Sequence, residues 1–179
     1  MELNFLGPST VRSGSSEVDI PGTRDRKILA TLLLNSNRPV HIDLLIDVVW
    51  DDDPPATARQ QVQNRLDSLR ARLDTEATHI NRNGKHCTLH VKYDQVDGLK
   101  FRKIYTEATS SINSGNTENA VTLLRSAFEL WRGAPVEDVE SAKLQTEALR
   151  WKELHLKAIE TLIDLEYSLN RHRLLTADR

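Results

Sequence analysis

The sequence predicts an α+β fold, because two regions of different texture follow one another along the chain. Residues 1–93 mix short β-like runs with helical segments, whereas residues 94–175 have a helical pattern almost throughout. A chain of 179 residues is long enough for one compact domain or two small ones, each with its own core. We therefore expect two domains, formed by residues 1–93 and residues 94–179.

The first third of the chain predicts small antiparallel strands followed by a helix. Residues 3–8 form a short apolar run, and residues 9–20 alternate loosely around Gly14 and Ser15, a pattern typical of strands joined by a turn. Residues 24–34 carry apolar side chains at helical spacing, and Thr23 is the expected N-cap.

Two further helices and a hairpin follow. Residues 43–50 predict a short helix, and the two prolines at 54 and 55 separate it from a third helix over residues 56–73. The third helix has an apolar stripe at helical spacing: Ala58, Val62, Leu66, Leu69 and Leu73. Residues 79–82 and 87–91 predict a hairpin with its turn at Asn83 and Gly84. Strands, three helices and a hairpin are, in this order, the elements of a winged helix-turn-helix domain with an added N-terminal β-sheet.

The remaining residues predict an all-α domain. Helical runs cover residues 96–114, 117–131 and 141–170, and a glycine-containing turn joins the first two. Small residues at 108, 120 and 127 suit close helix crossings, so the arrangement is TPR-like. Trp50 and Trp131 are expected core anchors, while the position of Trp151 stays open.

Composition and motifs argue against several classes of protein. The single cysteine, Cys87, excludes an intramolecular disulfide, and neither a signal peptide nor a membrane-spanning stretch is visible, so we expect a cytoplasmic protein. No phosphate-binding loop, nucleophile elbow or zinc-protease motif is present, and we expect no enzymatic activity and no cofactor. His79, His86 and His90 lie near Cys87, but their spacing fits no standard zinc site.

Charge by itself does not identify a nucleic-acid-binding protein. The formal net charge is −2, whereas many DNA-binding domains are strongly basic. Residues 54–86, however, contain six basic side chains and only three acidic ones, which allows a local basic surface.

The order of short motifs resembles the Streptomyces antibiotic regulatory protein (SARP) family along nearly the whole chain. The N-terminal half is similar to the OmpR/PhoB-type DNA-binding domain in FLGP from residue 5, RDRKILATLLL from 24, NRPV from 37, LLIDVVW from 44, PP from 54 and LRARL from 69. The C-terminal half resembles the family's bacterial transcriptional activation domain (BTAD) in Asp97, Phe101, Ala127, residues 130–133, Arg171 and His172.

The sequence departs from the family pattern in two places. The Gly-Tyr-x-Leu signature of the wing is replaced by His86-Cys87-Thr88-Leu89, so the tyrosine that would meet the DNA backbone is missing. The chain also ends at Arg179, inside what resembles the middle of the activation domain, so we expect a fragment of a longer regulator. No receiver domain is recognisable.

The resemblance implies a DNA-binding surface on the third helix. Gln63, Asn64 and Ser68 match base-reading positions, and amide side chains can pair bidentately with adenine in the major groove. Positions that match phosphate contacts are Gln60, Gln61, Arg65 and Arg70. Thr57 and Asp67 lie on the same face, opposite the apolar stripe, and Arg72 flanks it. A solvated helix face would show similar polarity, so the family resemblance carries this interpretation.

The wing tip and the acidic loop are further candidates. Arg82, Asn83, Lys85 and His86 lie where a wing would enter the minor groove or hold a phosphate, or they form a solvated turn. Asp51, Asp52 and Asp53 either face RNA polymerase and its sigma factor or simply make the loop soluble and favour the next helix. Arg24 and Arg26 either hold phosphates or pair with acidic neighbours.

We therefore expect a sequence-specific transcriptional activator that binds double-stranded DNA as a homodimer on direct repeats. The resemblance implies recruitment of RNA polymerase and control of an antibiotic biosynthetic gene cluster. The alternative is a protein-interaction adaptor that uses the TPR-like helices without specific DNA binding.

Overall fold

The fold mixes helices with two small sheets, as the sequence predicts. The computed structural model describes residues 1–51 and 53–177, with side chains up to residue 170. The first sheet is antiparallel and contains β1 (Glu2–Asn4), β2 (Thr10–Ser13) and β3 (Ser16–Glu17) in that order. Gly14 forms the turn between β2 and β3 with a φ of 60°, a left-handed conformation that glycine adopts without strain.

Three helices follow the first sheet. They are α1 (Thr23–Leu34), α2 (Ile42–Trp50) and α3 (Ala58–Leu73), and the short β4 (Val40–His41) precedes α2. The expected cap at Thr23 is wrong, because this residue already lies in the helix and Gly22 precedes it with a φ of 86° and no capping side chain. In α2, the His41 ring accepts a hydrogen bond from the Asp43 N–H at 3.2 Å and caps the helix.

The predicted hairpin is present, with its turn shifted by one residue. It consists of β5 (Thr78–Asn83) and β6 (His86–Val91), and β4 pairs with the other edge of β6. Asn83 pairs with His86, so Gly84 and Lys85 form the two-residue loop. Gly84 adopts a φ of 58°, as a tight hairpin turn requires.

The C-terminal region is helical. A short 3₁₀ turn at residues 93–95 leads into α4 (Asp97–Asn113), α5 (Thr117–Phe128) and α6 (Ala142–Ala177). Helices α4 and α5 pack against each other across a turn containing Gly115, whose φ is 79°. The predicted second run extended to residue 131, but α5 ends at Phe128 and the chain then turns back towards the N-terminal sheet.

The N-terminal segment and the C-terminal helices meet at a seam, which we define as Phe5, Leu6, Asp97, Arg132 and Trp151; of these, all but Arg132 are buried. The Phe5 and Leu6 N–H groups donate to the Asp97 carboxylate at 2.9 to 3.0 Å, and the Arg132 N–H donates to the Leu6 carbonyl at 2.8 Å. Burial raises the pKa of Asp97, while the three backbone N–H donors of residues 5, 6 and 98, and the Arg132 charge, act in the opposite direction.

The three tryptophans are buried to different extents, and Trp50 and Trp131 less than the sequence predicts. Trp151, whose position the sequence left open, is 2% exposed, packs edge-on against Phe5 and donates its indole N–H to the Leu34 carbonyl at 3.2 Å. Trp50 and Trp131 are only partly buried at the margin of the core. Trp131 stacks on His155 with ring centroids 3.8 Å apart.

Candidate nucleic-acid interface

Helix α3 has two chemically distinct faces. The predicted apolar stripe is confirmed, since all five side chains are buried where α3 packs on α1, α2 and β5. The opposite face is polar and exposed, and Gln60 donates to the Asn64 side-chain oxygen at 2.9 Å. Exposed side chains of the predicted set on α3 and at its start are Thr57, Gln60, Asn64, Ser68, Arg70 and Arg72.

Three other predicted side chains on α3 either contact neighbouring residues or are half-buried. Gln61 donates to the Thr57 hydroxyl at 3.0 Å, and Gln63 is half-buried. Arg65 forms a 2.8 Å ion pair with Asp25 of α1, and both side chains are largely covered. This pair holds α3 to α1, so Arg65 already has a structural contact.

The cations at the end of α3 are held less firmly. Arg72 reaches the Asp19 carbonyl at 3.3 Å. Arg70 is exposed and forms no side-chain hydrogen bond or ion pair with the described part of the chain. Its guanidinium is therefore available to an external anion.

The β5–β6 hairpin lies beside α3. Arg82 approaches Asp67 on the exposed side of α3 at 3.5 Å, and these side chains are 37% and 61% exposed. Asn83, Lys85 and His86 are exposed at the tip, where the His86 ring meets the His41 ring edge-on at 4.9 Å. We call the exposed side of α3 together with this tip the α3–hairpin face.

Sequence reasoning gave no role to Asp67 or Arg59. Asp67 places a carboxylate on the α3–hairpin face, and its partner Arg82 partly offsets that charge. Arg59 pairs with Asp43 of α2 at 2.5 Å. No local pattern signals either pair, because the partners are brought together by the packing of α3 against the hairpin and against α2.

The acidic loop follows α2. Asp51 has a φ of 53° and lies 3.9 Å from Lys27, while Asp53 is exposed. Asp52, the third predicted polymerase contact, lies outside the described residues. Of the two arginines at the start of α1, Arg26 donates to the Ile20 carbonyl and Arg24 lies over the Trp50 ring at 5.2 Å.

The described ranges of the chain contain neither a metal-binding cluster nor a membrane-spanning helix. No group of three or more histidine, cysteine, aspartate or glutamate side chains there is placed to hold a metal ion. Cys87 is buried, and burial raises its thiol pKa to about 11, so it stays protonated at neutral pH. Among the helices of residues 1–51 and 53–177, none is both long and apolar enough to cross a bilayer.

Comparison with known proteins relates the chain to bacterial transcription regulators. Residues 96–178 match the family described as the bacterial transcriptional activator domain. The regulatory protein AfsR of Streptomyces coelicolor is 26% identical over 96% of this chain and 17% of AfsR. The regulatory protein DnrI of Streptomyces peucetius is 26% identical over 96% of this chain and 67% of DnrI.

A solved structure has a similar fold. The structure of Mycobacterium tuberculosis EmbR in complex with a low-affinity phosphopeptide superposes with a TM-score of 0.83 at 24% sequence identity. The match covers 99% of this chain and 48% of the EmbR chain. The chain therefore spans only part of the length of several proteins it matches.

Proposed function

We propose that the chain is a transcriptional regulator of the SARP family that binds DNA sequence-specifically through α3, as its similarity to the bacterial transcriptional activator domain and to AfsR and DnrI supports. In this proposal residues 1–93 act as a winged-helix DNA-binding domain, and residues 94–179 act as a TPR-like activation domain. The observation that carries the proposal is the exposed polar face of α3, flanked on one side by the β5–β6 hairpin.

Helix α3 has the chemistry needed to enter a major groove. Asn64 and Ser68 are exposed for contacts with base edges, and Gln63 lies at the border of the same face. The Gln60–Asn64 hydrogen bond orients two amides before binding, which lowers the entropy lost on DNA contact. Arg70 supplies a free guanidinium for a phosphate.

The hairpin tip would act as the wing. Lys85, Asn83 and His86 are exposed there, and they replace the tyrosine signature with a basic and polar tip. Such side chains suit a phosphate or the minor groove beside the recognition helix. Arg82 would exchange its partner Asp67 for a phosphate, because an exposed pair at 3.5 Å is weak.

Activation would use contacts outside the DNA-reading surface. Two protomers would bind direct repeats head to tail, about one helical turn apart. The loop with Asp51, Asp52 and Asp53 would face a basic surface of RNA polymerase or its sigma factor. The regulated genes would belong to an antibiotic biosynthetic cluster.

Fluorescence anisotropy of the full chain with a direct-repeat promoter duplex tests the proposal. We expect tight binding that falls with salt, with a log–log slope of about −4 to −5 per protomer for about five phosphate contacts. The double variant Gln63→Ala/Asn64→Ala should lose about tenfold or more in affinity for this duplex and little for a scrambled one.

A matched control removes an exposed amide elsewhere. Asn113→Ala, at the end of α4, should leave both affinities unchanged. Equal, weak binding to both duplexes, insensitive to the double variant, would contradict DNA reading by α3 and favour the adaptor alternative.

A further inference from the structure

A basic concavity lies where α6 meets α4 and the turn between α1 and β4. Its volume is about 290 Å³, and it is lined by Arg38, Arg102, Arg150, Lys157, Glu153 and Trp151 among others. The lining thus contains four cations and one carboxylate. The volume is close to the lower limit of small-molecule pockets, which is roughly 300 Å³. These residues have no part in the α3–hairpin face.

Three separate elements position these cations. Arg38 lies in the turn between α1 and β4, and its side chain is exposed and without hydrogen bond or ion pair to the described residues. The guanidinium carbon of Arg102 of α4 lies 4.6 Å from the Trp151 ring centroid, a cation–π contact that holds this side chain beside α6. Lys157, on α6, is exposed at the edge.

Arg150 is anchored from behind. Its Nη2 donates to the Leu34 carbonyl and, at 2.9 Å, to the Asn35 side-chain oxygen. Glu147 is 4.0 Å away, but that carboxylate also accepts from the Asn35 amide. The Arg150 Nε is buried and has no hydrogen-bond partner in the described part of the chain. The cation is thus held in place through its Nη2, while its buried Nε has no acceptor among the described residues.

The positive charges repel one another. Burial lowers the pKa of Arg102, and the nearby charge of Arg38 lowers it further. The pKa of Arg150 is lowered by burial, and the charges of Arg38 and Arg102 act in the same direction, against Glu147. Such like-charge crowding costs free energy that an anion between the cations would recover.

From this arrangement we propose that the concavity is a binding site for a small phosphate-bearing ligand with at least two negative charges, of the pyrophosphate type. Guanidinium groups bind phosphate oxygens through paired, charge-assisted hydrogen bonds. The small volume favours a diphosphate group over a bulky partner, and Trp151 is buried and so offers no stacking surface for a base.

The location separates this site from the proposed DNA-reading surface. Helix α6 packs on α1, α2 and α5, whereas α3 packs on α1, α2 and β5. Asn37, next to Arg38, hydrogen-bonds to residues 89 and 91, at the end of β6 remote from the hairpin tip. A bound ligand would join the α1–β4 turn to α4 and α6, and so tighten the junction of the two halves.

Calorimetric titration of the full chain with pyrophosphate at fixed ionic strength tests this proposal, with orthophosphate run in parallel. We expect saturable binding, weaker for orthophosphate, and a rise in the thermal midpoint with ligand. Arg38→Gln and Lys157→Gln should each weaken pyrophosphate binding by about tenfold. Both side chains are exposed, so these variants should fold normally, which circular dichroism checks.

The matched control is Lys103→Gln, which changes the net charge equally on the face of α4 where Lys103 is exposed. It should bind pyrophosphate like the wild type. Absence of saturable binding, or equal weakening in Lys103→Gln, would overturn the proposal. A duplex-DNA arm distinguishes the remaining source of phosphate: if Arg38→Gln and Lys157→Gln weaken DNA affinity while pyrophosphate does not bind, the cations serve the DNA backbone and the small-ligand proposal is wrong.

Discussion

The seam and the α3–hairpin face each place an aspartate beside an arginine, but in opposite surroundings. Asp97 is 4% exposed at its side chain, lies 3.4 Å from Arg132 and accepts from three backbone N–H groups. Asp67 is 61% exposed and has Arg82 as its neighbour at 3.5 Å. The two aspartates therefore meet very different dielectric environments, although the side chains of Arg132 and Arg82 are similarly exposed, at 39% and 37%.

Because of this difference, the buried groups of the seam serve folding, whereas the exposed groups of the α3–hairpin face are available for binding. Buried polar groups must be satisfied within the fold, because an unpaired donor costs about 1–3 kcal/mol. The seam groups are accordingly committed to holding the N-terminal segment against the C-terminal helices. Exposed ion pairs contribute at most about 1 kcal/mol, so groups on the α3–hairpin face can exchange partners when a ligand arrives.

The largest expected effect comes from Asp97→Ala. Removing the carboxylate leaves the N–H groups of residues 5, 6 and 98 without this acceptor, and we expect the free energy of unfolding to fall by about 3 to 5 kcal/mol. Urea denaturation measures this loss. Asp67→Ala is the matched control on the other region and should change stability by less than about 1 kcal/mol. Similar losses in the two variants would remove the contrast.

A smaller loss is expected for Gly98→Ala. A Cβ at this position of α4 would overlap the Phe5 ring, far inside van der Waals contact, so Phe5 or the helix must shift. Such overpacking should cost about 1–3 kcal/mol in unfolding free energy. Ser110→Ala, on the exposed side of the same helix, should stay within about 0.5 kcal/mol. An unchanged stability in Gly98→Ala would mean that the seam accommodates extra volume.

On the α3–hairpin face, Arg82→Gln should affect binding rather than folding. If Arg82 contacts a phosphate, DNA affinity should fall severalfold and the salt slope should decrease by about one. Asp67→Asn should strengthen DNA binding, since it removes the carboxylate from the face. Anisotropy titrations at several salt concentrations measure both effects. A stability loss in Arg82→Gln, with DNA affinity unchanged, would assign the Arg82–Asp67 pair to folding.

The smallest expected effect is a pH dependence from His155, which stacks on Trp131. Burial lowers the pKa of His155, so the unfolded chain binds the proton first as the pH falls below about 6.5. The contribution of neutral His155 to the free energy of unfolding is therefore fully present above about pH 6.5. It is lost as the pH falls through the pKa that His155 has in the folded state. Thermal unfolding of the wild type and His155→Phe between about pH 7.5 and 5 measures this decline. If the thermal midpoints of the wild type and His155→Phe changed in parallel with pH, a contribution from His155 would be excluded.

Sequence patterns predicted the elements of both regions better than their contacts. The α3 stripe is buried as expected, and the hairpin is present with its loop displaced by one residue. The cap at Thr23 could not be assigned correctly, because Gly22 changes the chain direction with a conformation that the residue type permits but does not require.

For the candidate site residues, too, the sequence predicted positions better than contacts. Helical periodicity placed Asn64 and Ser68 on an exposed face, which the structure confirms. Periodicity could not show that Arg65 is engaged by Asp25, 40 residues away, or that Asp67 faces Arg82 of the hairpin. The DNA-contact roles of these residues stay predictions.

Local sequence determined the helices, the hairpin and the polar face of α3, because these follow from periodicity and turn chemistry among near neighbours. Only the tertiary structure decided that Trp151 would be buried, since its cover comes from Phe5 and the Leu34 carbonyl, far away in sequence. It also decided that Asp97 would join the two halves and that Arg38, Arg102 and Arg150 would converge. Desolvation and charge crowding depend on distances across the fold, which no local pattern contains.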